Sequence, residues 1–298
     1  MTLPRIGAGR RLYLCSPSGA VMDPQRLARG LDTLDALGFA VELDPALGSR
    51  FQRFAGSDAE RLAALYRAAA SGCELVMASR GGYGLSRLLP LIDWPRLHGP
   101  IWIGHSDLTA LALAGLPRGL ESWNGPMVLH DFGAESPDPR TLQHFAAMLG
   151  GRLEVEFTTD ADAALDVEGP LWGGNLSVLA SLLGTPWWPR IEDGVLWLED
   201  VNETPYRIER MLLQLLDAGV LHRQRAILIG HCTDYRLSPL DDGYDLPAVW
   251  ALLRERLSVP VLTGLPFGHV PGKATLPNGW RVRLQAGNEK ARLSGRAF

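Results

Sequence analysis

Residues 75–116, LVMASRGGYGLSRLLPLIDWPRLHGPIWIGHSDLTALALAGL, decide the fold. Leu75–Ser79 is a short apolar run that reads as a buried strand and passes into Arg80-Gly81-Gly82-Tyr83-Gly84. Leu85–Ile92 reads as a helix. Ile101–Gly104 is a second strand, closed by His105-Ser106-Asp107, and Leu108–Leu116 returns as a helix. Strands too short to be helices, each followed by a turn and a helical pattern, imply a parallel sheet with helices on its faces.

The rhythm extends upstream. Arg11–Ser16 and Ala40–Leu43 read as strands. Pro24–Leu37 carries Leu27, Leu31, Leu34 and Leu37 at helical spacing, and Asp58–Ser71 sets Leu62, Leu65 and Ala69 on one face. Downstream, after a helix at Arg140–Leu149, acidic residues gather (Asp160, Asp162, Asp166, Glu168), and a linker is expected over 151–168. A second block opens at Leu171-Trp172-Gly173-Gly174-Asn175, with Asn175 placed to cap a helix at Leu176–Leu183. Strands at Val195–Glu199, Ala226–Gly230 and Val259–Thr263 alternate with helices at Pro205–Leu216 and Leu246–Leu257. Trp280–Leu284 and Ala291–Leu293 read as antiparallel strands. The expectation is an α/β protein. A parallel-sheet domain of flavodoxin or amidotransferase type spans 1–150, and a mixed α/β domain with C-terminal antiparallel strands spans 169–298.

Composition bounds the function. The 298 residues suit two domains, at roughly 100–200 residues each. The net charge of −4, from 29 basic and 33 acidic residues, argues against nucleic acid or an anionic membrane as the main partner. Hydrophobic residues at 46% exclude wholesale disorder. Three cysteines (Cys15, Cys73, Cys232) make no disulfide framework, and the N-terminus has no apolar run long enough for a signal peptide. No stretch approaches the ~20 apolar residues of a membrane span. A cytoplasmic protein is expected. No HExxH, dense ligand cluster, GxGxxG or Walker pattern is present, so neither a metal nor a nucleotide cofactor is expected.

Ser106 stands at a tight strand-to-helix turn, where its hydroxyl is presented clear of both elements and the Asp107 N–H points into the same space. Leu108 replaces the second glycine of the nucleophile-elbow pattern, and a serine that merely caps the helix fits the spacing equally well. A serine nucleophile needs a base. His98, His144 and His222 lie in polar surroundings, and His105 diverges from its neighbour Ser106 at the turn. His130, His231 and His269 stay open, with His269 closing a Leu265-Pro266-Phe267-Gly268 turn after a strand. Glu199, Asp200 and Glu203 are candidates for the orienting acid. Alternation along the strand favours one of Glu199 and Asp200 facing the site, not both. Gly82 could bring a second N–H to a reacting carbonyl.

Read together, these segments resemble the serine LD-carboxypeptidases, peptidase family S66. The resemblance rests on Arg80-Gly81-Gly82-Tyr83-Gly84, Gly104-His105-Ser106-Asp107, Asn124-Gly125-Pro126-Met127, Leu171-Trp172-Gly173-Gly174-Asn175-Leu176, Leu198-Glu199-Asp200 with Asn202-Glu203, and Phe267-Gly268-His269. These blocks run in order over nearly the whole chain. The resemblance implies Ser106 as nucleophile, His269 as base, Glu199 as acid, and the N–H groups of Gly82 and Asp107 as the oxyanion hole. It further implies a cytoplasmic, metal-free, homodimeric enzyme that removes D-Ala from murein tetrapeptides. Arg80, Trp172, Asn175 and Glu203 are the expected substrate contacts, Trp172 being equally suited to the core. A branch of the family instead cleaves peptidyl-adenylate antibiotics. Rival readings are a serine esterase or amidase of other specificity, and a binding protein that has kept the fold.

Overall fold

The computed structural model describes residues 5–160 and 164–297. The strands in chain order are β1 (Arg11–Cys15), β2 (Ala40–Leu43), β3 (Leu75–Ala78), β4 (Ile101–Gly104) and β5 (Ser122–Asn124). They continue as β6 (Arg152–Thr158), β7 (Leu165–Asn175), β8 (Val195–Val201), β9 (Ala226–Thr233), β10 (Val261–Leu262), β11 (Leu276–Pro277), β12 (Arg281–Gly287) and β13 (Lys290–Arg296). The helices are α1 (Pro24–Ala36), α2 (Asp58–Ala70), α3 (Leu85–Leu88), α4 (Leu108–Gly115), α5 (Pro139–Leu149), α6 (Leu176–Leu182), α7 (Pro205–Asp217) and α8 (Leu246–Arg256).

The chain forms two compact units. The first runs to Gly151 and takes back Thr275–Asn278, and the second holds Arg152–Ala274 and the remainder from Gly279. In the first unit, β2-β1-β3-β4-β5 pair in parallel in that order, and β11 adds antiparallel to β5. The order 2-1-3-4-5 is that of doubly wound sheets, which bind ligands outside the carboxyl ends of the strands, where the order reverses. The loops after β1, β3 and β4 meet at that end. All eight residues of α4 are buried, as an almost wholly apolar helix in a core requires. On α2 the buried face is Arg61, Ala64, Leu65 and Ala68, offset from the expected Leu62–Leu65–Ala69 stripe. The Arg61 guanidinium is enclosed with its Nη1 donating to the Pro17 carbonyl and its Nη2 to Asp58.

In the second unit, β7, β8, β9 and β10 are parallel, while β7, β12, β13 and β6 pair antiparallel. The fold is thus mixed α/β with a mostly parallel sheet and a second sheet carrying antiparallel strands. The expected linker at 151–168 is instead β6 and the start of β7; residues 161–163, Asp162 among them, lie outside the described residues. Leu153, Val155 and Phe157 alternate inward along β6, whereas the charged residues are the outward face of a sheet. Arg283 there pairs with Asp166, Arg281 with Glu168, and Arg292 with Glu154. Among the described residues no helix is long and apolar enough to cross a membrane.

Candidate active site

In the first unit, Ser106 occupies the turn between β4 and α4 with φ +62°. A non-glycine residue in the left-handed region costs free energy and persists only where its surroundings enforce it. The cap position of α4 is Asp107, whose side chain makes no capping bond to that helix, so Ser106 does not stand at the cap. Its hydroxyl lies against the glycine turn after β3. A Cβ on Gly81 would stand 2.7 Å from Ser106 Cβ and 2.9 Å from Oγ, so only glycine admits the serine here. Gly82 follows with φ +126°. Neither the Gly82 N–H nor the Asp107 N–H donates to a protein acceptor among the described residues, which leaves both for an oxyanion. His105 is turned away, its Nδ1 donating to the Gly125 carbonyl at 2.8 Å.

The Asp107 side chain does work that the sequence did not reveal. It is buried, and its Oδ2 accepts from Ser18 Oγ at 2.6 Å and from the Leu85 N–H at 2.9 Å. One carboxylate therefore ties the loops after β1, β3 and β4 together and caps α3. Burial pushes its pKa up, against the pull of the Ser18 hydroxyl, the Leu85 and Gly84 N–H groups and the Arg61 charge. Arg80 lies in the same corner, its Nη1 donating to the Ala20 carbonyl at 3.2 Å.

In the second unit, His269 Nδ1 donates to Glu199 Oε2 at 2.9 Å, with Glu199 fully buried and His269 partly buried. The buried carboxylate fixes the tautomer, with the ring proton on Nδ1. His130 and His231 are exposed. Asn175 caps α6 through Oδ1, accepting from the Val178 N–H, and its Nδ2 donates to both Glu199 and Asp200. Its amide thus holds the two acids together. Alternation would have sent Glu199 and Asp200 to opposite faces. The β8–β9 register shifts between Leu198 and Asp200, and this bulge turns both carboxylates toward Asn175.

Asp200 also accepts from the Ser177 and Val201 N–H groups and from Ser177 Oγ. Burial raises its pKa to about 6, opposed by the Val201 N–H and reinforced by the Glu199 charge. Glu203 pairs with Arg207 and accepts from Ser177 Oγ at 3.4 Å. Trp172, an expected substrate contact, is fully buried; its Nε1 donates to Gln224 Oε1 and its ring packs edge-on against Trp188. It is a core residue, because its polar atom finds its partner inside.

Known proteins share this arrangement of elements. The LD-carboxypeptidase N-terminal domain family (Peptidase_S66) matches residues 12–125, and the LD-carboxypeptidase C-terminal domain family (Peptidase_S66C) matches residues 168–284. The murein tetrapeptide carboxypeptidase of Pseudomonas aeruginosa is 31% identical over 289 residues, covering 92% of this chain and 93% of that protein. The crystal structure of a muramoyltetrapeptide carboxypeptidase from Oxalobacter formigenes superposes with a TM-score of 0.90 at 40% identity, over 97% of this chain and 99% of the other. The microcin C7 self-immunity protein MccF of Escherichia coli is 25% identical over 95% of this chain and 92% of its own length. The chain belongs to the LD-carboxypeptidase family S66 and is a serine carboxypeptidase.

Proposed function

We propose that this carboxypeptidase removes the terminal D-alanine from murein tetrapeptides by acyl transfer through Ser106. His269 takes the Ser106 proton as the hydroxyl attacks the scissile carbonyl, then returns it to the leaving amine. Glu199 orients the imidazole and stabilises its charged form. The N–H groups of Gly82 and Asp107 bind the oxyanion, each contributing about 3–4 kcal/mol to the transition state. Water then hydrolyses the acyl-enzyme to release the tripeptide. Arg80 and Glu203 are the charged side chains proposed to meet substrate. The same reading takes the protein as a cytoplasmic homodimer working without a cofactor.

The observation that carries this reading is the left-handed backbone of Ser106, held in a strand-to-helix turn beside a glycine turn with an unclaimed N–H. The murein substrate is supported by the Pseudomonas and Oxalobacter relatives, which are more similar to this chain than the microcin immunity protein is. The test offers the enzyme a murein tetrapeptide, a peptidyl-adenylate and p-nitrophenyl esters side by side. Mass spectrometry is expected to show loss of one alanine from the tetrapeptide at the highest kcat/KM. Preferred hydrolysis of the adenylate or the esters would replace the substrate assignment.

A further inference from the structure

Arg80 is a cation without a counter-ion. Among the described residues it forms no ion pair, whereas its neighbours Arg61 and Arg87 both pair with Asp58. One hydrogen bond, from Nη1 to the Ala20 carbonyl at 3.2 Å, fixes the guanidinium over the loop after β1. Its Nε is buried and has no acceptor. Nη2 makes no hydrogen bond among the described residues either, so the whole Nε–Nη2 edge is unused. The space for it is kept by Gly19, where a Cβ would stand 3.3 Å from Nε and 3.6 Å from Cζ. Nε is closed off from solvent, so Nη2 is the end of that edge a ligand can reach, and a guanidinium nitrogen with no acceptor suits an incoming carboxylate.

Its position along the chain adds the second constraint. Arg80 directly precedes Gly81, the residue that touches Ser106, and Gly82, the proposed oxyanion donor. The substrate of a carboxypeptidase carries its free carboxylate on the residue that leaves, only three bonds from the scissile carbonyl carbon. A counter-charge for that carboxylate has to stand about one residue from the oxyanion hole, a spacing of roughly 3.8 Å along a chain. Resting on the reading of Ser106 as nucleophile, we infer that Arg80 receives the C-terminal carboxylate of the leaving residue on its Nη2 and so confines cleavage to the last peptide bond.

The test compares a tetrapeptide bearing a free C-terminal carboxylate with the same peptide as its C-terminal carboxamide, using wild type, Arg80→Ala and Arg80→Lys. The wild type is expected to favour the free acid by about 100-fold in kcat/KM, since the carboxamide carries no charge and turns a donor toward the guanidinium in place of one oxygen. Arg80→Ala is expected to lose most of that preference, falling about 100-fold on the free acid, chiefly through KM, while changing less than about threefold on the amide. Arg80→Lys restores the charge without the fork and is expected to recover only part of the preference. Equal losses on both substrates in Arg80→Ala and Arg80→Lys would make Arg80 a scaffold for its loop and overturn the assignment alone. No alanine release from the free acid by the wild type would overturn it together with the reading on which it rests.

Discussion

The turn after β4 and the end of β8 present their reactive groups by opposite means. At the turn, the backbone carries the strain: Ser106 sits at φ +62°, and clearance comes from a glycine where any side chain would collide. At the strand end, the electrostatics carry it. Two adjacent carboxylates, Glu199 and Asp200, are buried together and held by one amide, Asn175, and one imidazole, His269. Geometry that depends on backbone strain should fail through positioning, and geometry that depends on buried charge should fail through protonation and polarity. Substitutions on each side can therefore break or sharpen the contrast.

Short of removing Ser106 itself, the largest effect is expected at the strand end. Glu199→Gln leaves the shape but removes the charge that orients and stabilises the His269 imidazolium, so kcat should fall by about 10⁴-fold with the circular dichroism spectrum unchanged. A loss under tenfold would show that the Glu199–His269 pair is structural. Asp107→Asn probes the turn. The amide cannot accept from Ser18, Leu85 and Gly84 together, so donors are left unsatisfied in a buried corner. Urea unfolding should show about 1–3 kcal/mol of destabilisation. Displacement of Ser106 should lower kcat by up to about 10²-fold with KM little changed. Full activity in this variant would mean that the three loops hold their positions without the carboxylate.

The smallest effect concerns pH. Asp200 binds its proton more tightly in the folded state, with a pKa raised from 3.8 to about 6. Its contribution to stability is therefore complete below about pH 4 and lost as pH rises through about 6, a change of up to about 3 kcal/mol. Asp200→Asn, which does not titrate, should flatten that part of the stability-versus-pH curve measured by urea unfolding. Parallel curves for the two proteins would place the Asp200 pKa near its ordinary value.

What was legible in the sequence follows the range of the interactions. Four strands of the first sheet, β1 to β4, were legible, and β3 and β4 show why: buried parallel strands are continuous apolar runs bounded by turns, as at Leu75–Ala78 and Ile101–Gly104. The Asn175 cap was legible because capping is decided within three residues. Two short strands were not: β5 has three residues and β11 two, and their pairing joins Asn124 to Leu276 across about half of the chain. The strand character of β6 and of the start of β7 was masked by the acidic residues on their outward faces, which the paired arginines on β13 and β12 explain only once the strands are neighbours. At the site, Ser106 was visible as a turn residue, but not the Asp107 staple, whose partners Ser18 and Leu85 lie 89 and 22 positions away. The facing of Glu199 and Asp200 depended on a bulge that strict alternation cannot contain. Family resemblance separated Glu199 from Glu203, which spacing alone left open.

The central claim is that Ser106 is the nucleophile, and covalent labelling tests it most directly. Wild-type protein treated with a fluorophosphonate and digested for peptide mapping should carry one adduct, on Ser106. Ser106→Ala should carry none and should lose alanine release from murein tetrapeptide by about 10⁴–10⁶-fold. An adduct on another serine, or alanine release that survives in Ser106→Ala at near wild-type rate, would contradict the account.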